Sequence, residues 1–137
     1  MGRYVRFCTV MDSGSSENVV NPSTFPGVPI VPSAGSRRGQ VFSAAGKKAI
    51  PNEGQQHLAL ITESGAAAPL TYQVADVRKP LTSIARLCDR GNRVIFGRGG
   101  GVVQNLKNGT CTPFRREKAI YILDMWLDTA APFRRQG

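Results

Sequence analysis

The chain has 137 residues, 41% of them hydrophobic, enough for one domain with a buried core. Its 15 glycines and 9 prolines are spread along its length, which excludes a long-helix architecture and favours short strands joined by turns. The 18 basic and 9 acidic residues give a formal charge of +9, suited to a solvated basic surface or to an association with nucleic acid or an acidic partner.

Arg3 to Met11 partly alternates and is rich in β-formers, which predicts a strand. Asp12-Ser13-Gly14-Ser15-Ser16 then predicts a tight loop with a carboxylate at the strand tip. Asn21 to Arg38 reads as loop, because Pro22, Pro26, Pro29 and Pro32 exclude a long helix and interrupt any ladder; Val28 to Val31 has room for a short edge strand. Gln40 to Ala45 predicts a short strand. Ala49 to Thr62 predicts a hairpin, with Pro51-Asn52-Glu53-Gly54 as its turn and Leu58 to Thr62 as the return strand. Ser64 to Pro69 is a turn, and Leu70 to Val77 another strand.

Leu81, Ile84, Leu87 and Cys88 share one face at helical spacing, which predicts a helix over Leu81 to Cys88 with Gly91 as its stop. Three strands follow at Arg93–Phe96, Val102–Leu106 and Ala119–Leu123. Gly97 to Gly101, Asn108-Gly109 and Pro113 to Lys118 separate them. The fold class expected is mostly β with one short helix, and the segment from Ala130, carrying Arg134-Arg135, reads as a loose tail.

Asp12 is the leading candidate for chemistry. Amide hydrolysis needs an activated water and a protonated leaving nitrogen, and two carboxylates sharing one proton supply both. Ser13 would orient the loop, and Gly14 allows close backbone approach and could donate its amide to the carboxylate. An Asp-turn on the surface fits the same letters. Only one Asp-Ser/Thr-Gly occurs; Asp128-Thr129-Ala130 is the nearest echo but lacks the glycine, and Asp76 and Asp124 fall in strand-like segments. A second carboxylate would therefore come from another copy of the chain, most simply in a two-fold dimer. A hairpin over Ala49 to Thr62 could close over an extended peptide, or be an ordinary exposed hairpin.

The other candidates are weaker. His57, the sole histidine, sits in a strand-like run and reads as a packing or surface residue. Gly97 to Gly101 lacks the Gly-Lys-Ser/Thr ending of a phosphate loop, and a hairpin turn explains it better. Cys8, Cys88 and Cys111 have neither a disulfide-framework nor a zinc-site pattern, so no metal is expected and reduced thiols in a cytoplasmic setting are the simplest account. No signal-peptide or membrane-spanning segment is read from the chain. Lys47-Lys48, Arg37-Arg38, Arg115-Arg116-Lys118 and Arg134-Arg135 could form a basic face. With aromatics at 7% and none interleaved as stacking platforms, single-strand nucleic-acid binding gains little support beyond a weak non-specific RNA contact.

Three stretches, in order, resemble the retropepsin-like aspartic protease segment of copia-type LTR retrotransposon polyproteins. They are Val10 to Ser16, Val41 to Gly46 leading into the Ile50–Leu60 hairpin, and Tyr72 to Phe96. Asn108-Gly109 and Ile120 to Asp124 are similar to the linker between protease and integrase. The resemblance implies a closed β barrel over residues 3–97, a small β-hairpin extension over 98–127 and a basic tail over 128–137. It implies a homodimer without cofactor that cleaves its own polyprotein. Asp12, Ser13 and Gly14 would form the catalytic loop, and Asn52, Glu53 and Gly54 the tip of a substrate-binding flap. The chain departs from the family at Ser15, where Ala is common, and at Ala75-Asp76-Val77, where an apolar-apolar-Gly element is usual. The flap has one tip glycine rather than several. The alternative is a catalytically silent remnant, or a basic module binding nucleic acid or a protein partner, that keeps the same fold.

Overall fold

A computed structural model describes residues 3–43 and 49–130. Twelve strands and two short helices follow one another: β1 (Tyr4–Asp12), β2 (Val19–Val20), α1 (Ala34–Arg37), β3 (Val41–Phe42), β4 (Ile50–Pro51), β5 (Gly54–Leu58), β6 (Leu60–Ile61), β7 (Leu70–Val74), β8 (Leu81–Ser83), α2 (Ile84–Asp89), β9 (Asn92–Phe96), β10 (Gly100–Asn105), β11 (Cys111–Glu117) and β12 (Ile120–Asp128). The chain is mostly β, as its turn-rich composition implies. Ten strands form one sheet curled into a half-barrel, in the order β5-β7-β2-β8-β1-β12-β11-β10-β9, with β6 paired to β12. This single sheet crosses the 97/98 position. No helix among the described residues is long and apolar enough to cross a membrane.

The sheet is organised around β1. Its alternation buries Phe7, Thr9 and Met11 on one face. On one side it pairs antiparallel with β12 from Tyr4↔Asp128 to Val10↔Ile122; on the other it runs parallel to β8, ending at Asp12↔Ser83. Phe7 packs against Phe25 and Tyr72 at ring-centroid distances of 5.0 and 5.5 Å. Leu58, Leu60, Val74, Leu123 and Met125 complete this core. Each such side chain contributes about 1.5–3 kcal/mol on burial.

Four expectations are corrected. Leu81–Ser83 is a strand rather than the first turn of the helix: parallel pairing with β1 holds it extended, and Ser83, at φ −71° and ψ 122°, caps a helix that starts at Ile84. Pro113 to Lys118 lies largely within β11. Pro113 is tolerated there because the ladder to β12 stops at Arg115↔Ile122, so its missing N–H forfeits no bond. Within the expected loop, Ala34–Arg37 forms one helical turn closed by a Ser33–Ser36 capping box. Finally, the hairpin is built by β3 and β4, paired through Val41↔Pro51 and Phe42↔Ile50, whereas β5 pairs with β7.

The last correction moves the expected flap tip. Asn52 and Gly54 are buried at the root of the β3–β4 hairpin, and only Glu53 is exposed. Asn52 Nδ2 donates to Gln40 Oε1 and to Gln73 Oε1, both at 3.0 Å, and its Oδ1 accepts from Gly54 N–H at 2.9 Å. Gly54 adopts φ +135° against the Val31 carbonyl, where a side chain would collide. The hairpin is joined through residues 43–49, of which 44–48 lie outside the described residues, as do Lys47-Lys48, the end of the expected Gln40–Ala45 strand and residues 131–137 of the expected tail.

Candidate active site

Asp12 is the last residue of β1, and the chain leaves the strand there for residues 13–18 before returning as β2. The returning strand does not pair with β1. β8 lies between them, parallel to β1 and antiparallel to β2. The Asp12 loop therefore spans an inserted strand, and that strand supplies its fixings.

Gly14 N–H donates to Asp12 Oδ1 at 2.8 Å, which holds the carboxylate of the half-buried Asp12 against its own loop. A Cβ at Gly14 would stand 3.3 Å from the same oxygen, so glycine suits the close approach. Ser13 is exposed beside it. Ser15 Oγ donates to the Glu17 carbonyl at 2.6 Å and tightens the loop internally.

Three further residues hold this loop, and motif reading did not single them out. Ser83, fully buried, donates its hydroxyl to the Ser15 carbonyl at 2.6 Å while accepting from Arg86 N–H at 3.2 Å as the cap of α2. Ser83 N–H donates to Asn18 Oδ1 at 2.8 Å, and Asn18 Nδ2 donates to the Thr71 carbonyl at 3.2 Å. Arg86 reaches back from α2, with Nε on the Ser16 carbonyl at 3.1 Å and Nη2 on the Glu17 carboxylate at 2.7 and 2.6 Å. The sequence signal for this clasp is a serine three residues before an arginine at a helix start, a cap pattern hidden by reading the helix from Leu81.

Beneath the loop lies a buried hydroxyl chain. Thr9 and Thr82 Oγ1 atoms are 2.8 Å apart, and Tyr72 Oη is 2.6 Å from Thr82 Oγ1. Burial pushes the Tyr72 phenol well above its ordinary pKa, so it stays neutral and serves as a hydrogen-bonding strut.

The remaining carboxylates have other settings. Glu17 pairs with Arg86, Asp76 accepts from Asn21, Glu117 pairs with Arg115, and Asp124 pairs with Arg6 and Arg115. Asp128, of the Asp-Thr-Ala echo, is held bidentately by Arg3 at 2.7 and 2.8 Å. Glu53, Glu63 and Asp89 are exposed. His57 is half-buried in β5, its Nδ1 2.9 Å from Thr71 Oγ1. The arrangement can present one oriented carboxylate at a strand end, braced from β8 and α2. Searches of protein-family models, curated proteins and solved structures returned no match for the chain.

Proposed function

We propose that the chain is a retropepsin-like aspartic endopeptidase of a copia-type retroelement, acting as a homodimer. The observation that carries this reading is Asp12 at the end of β1, bonded by Gly14 N–H, in a loop fixed across an inserted parallel strand. Such a setting holds an oriented carboxylate at the end of the central strand, where a second copy can bring its own Asp12 alongside. A closed barrel and a single active site shared by two subunits belong to this proposal.

The mechanism follows from the pairing. Two carboxylates at close range cannot both ionise, so one proton is shared between them. The ionised Asp12 takes a proton from a water as the water attacks the peptide carbonyl. The protonated Asp12 supports the carbonyl oxygen, and the proton then passes to the departing nitrogen. No cofactor enters. The β3–β4 hairpin is the candidate cover over an extended peptide, such as a segment of the parent polyprotein. The three exposed, unbridged cysteines suit a reducing, cytoplasmic setting.

The test is incubation of wild type and Asp12→Asn with a peptide library from acidic to neutral pH. Cleavage by wild type and none by a normally folded Asp12→Asn is the expected result. Undiminished cleavage by the variant overturns the assignment. A folded wild type without any activity supports the silent-remnant reading instead.

A further inference from the structure

Aromatic and basic residues that are scattered in the sequence meet at one end of the β9–β12 meander. Phe96 ends β9, Phe114 lies in β11 and Tyr121 in β12, and their ring centroids are 4.9 to 5.9 Å apart in edge-on contacts. Phe114 is buried, Tyr121 half-buried, and Phe96 keeps 44% of its surface open. Glycine lets this end close up: a side chain at Gly101 would run into the Ile95 carbonyl and the Phe114 ring.

The same end carries Arg98, Arg116 and Lys118, all exposed. Arg116 lies over the Tyr121 ring, 5.6 Å from its centroid. Its Nε donates to the Lys118 carbonyl at 2.7 Å and its Nη1 to the Arg98 carbonyl at 3.1 Å, which ties the two turns together. Tyr121 adds a bond from its hydroxyl to the Gly97 carbonyl at 2.9 Å. Among the described residues, the ion pairs involve Arg3, Arg6, Arg86 and Arg115 and leave these three cations unpaired. The whole meander, residues 92–128, holds six basic residues against the acids Glu117, Asp124 and Asp128.

We propose that this end of the meander, formed by Phe96, Arg98, Arg116, Lys118 and Tyr121, is a binding site for single-stranded RNA. A cluster of exposed cations without acidic partners, one of them anchored at Arg116, meets phosphates by displacing their counterions. The exposed part of the Phe96 ring beside it offers a base an aromatic contact, which a purely ionic partner such as an acidic peptide does not use. The aromatics absent as an interleaved sequence pattern are supplied by the fold, through Phe96 in β9 and Tyr121 in β12. The site is distinct from the Asp12 loop and does not depend on the protease reading.

The test is fluorescence anisotropy of a labelled oligouridylate with the full chain over a salt series. Neutralising three phosphates predicts a roughly twentyfold loss of affinity between about 50 and 200 mM salt. The double reversal Arg98→Glu/Lys118→Glu is expected to abolish binding, with its thermal midpoint reported alongside to confirm folding. Arg37→Glu/Arg38→Glu makes the same change of net charge at the far end of α1 and is expected to retain most binding. Phe96→Ala should weaken binding by at least about fivefold, with recovery in Phe96→Tyr. Equal loss from the two charge reversals, or an affinity for polyglutamate competitor matching that of RNA, overturns the proposal.

Discussion

Ser83 and Ser15 are 68 residues apart, yet the buried Ser83 hydroxyl donates to the Ser15 carbonyl at 2.6 Å. The same oxygen caps α2 by accepting from Arg86 N–H. Helix start and Asp12 loop thus share one atom. Ser83→Ala removes the cap and leaves a carbonyl without its donor, and is expected to cost about 1–3 kcal/mol. If the protease reading holds, kcat should fall more than KM rises, since the loop carries the reacting carboxylate. Urea unfolding and steady-state kinetics on one preparation check both parts, and an unchanged kcat would separate Ser83 from the chemistry.

A shared active site makes a mixing prediction. With Asp12→Asn added in equal amount to wild type and subunits exchanging freely, only dimers with two intact Asp12 residues should act, leaving about one quarter of the activity of an all-wild-type sample of the same total concentration. Retention of half would mean that each subunit works alone. Dilution of wild type should also lower the activity per chain.

Asn52 should behave as a structural residue. Its amide nitrogen serves two glutamine oxygens and its oxygen serves Gly54 N–H. Asn52→Ala is expected to destabilise the chain by about 2 kcal/mol or more, because buried amide groups lose their partners. A flap-tip residue would instead alter peptide KM with little effect on stability. Chemical denaturation beside substrate titration decides between these behaviours.

Asp124 predicts a pH dependence. Hydrogen bonds from Arg115, chiefly, with help from Cys8 and Arg6, hold its pKa at about 2 despite opposing desolvation. The folded value is below the unfolded value of about 3.9, so the stabilisation is fully present above roughly pH 4 and is lost as pH falls through about 2. Arg115 and Arg6 retain 40% and 59% side-chain exposure, so solvent screening limits the effect to about 1 kcal/mol. Asp124→Asn should be less stable than wild type at pH 7, with the gap much reduced at pH 2. A constant gap across urea midpoints at pH 7, 4 and 2 would contradict this account.

Local pattern made much of the fold legible. The alternation of Arg3 to Met11 marks β1, and Asp12-Ser13-Gly14 marks the loop with its carboxylate–amide bond. Partners distant in sequence decided the remainder. Leu81 to Ser83 has helical spacing, but the edge of β1 is a stronger claim on its backbone. Pro51 to Gly54 has turn letters, yet Gln40 and Gln73 bury Asn52 and place these residues at a hairpin root. Asn18, Ser83 and Arg86 carried no motif because their work is done across three separate elements.

The β1–β12 ladder has a consequence for synthesis. β1 is made well before its neighbours β8 and β12, which begin only at Leu81 and Ile120. A ribosome must deliver most of the chain before the central strand gains either partner. Until then a nine-residue strand with both edges open is exposed to pairing with other nascent chains. Ending the chain near Phe96 would leave the β12 side of that strand permanently open, and the shortened product should aggregate as it leaves the ribosome.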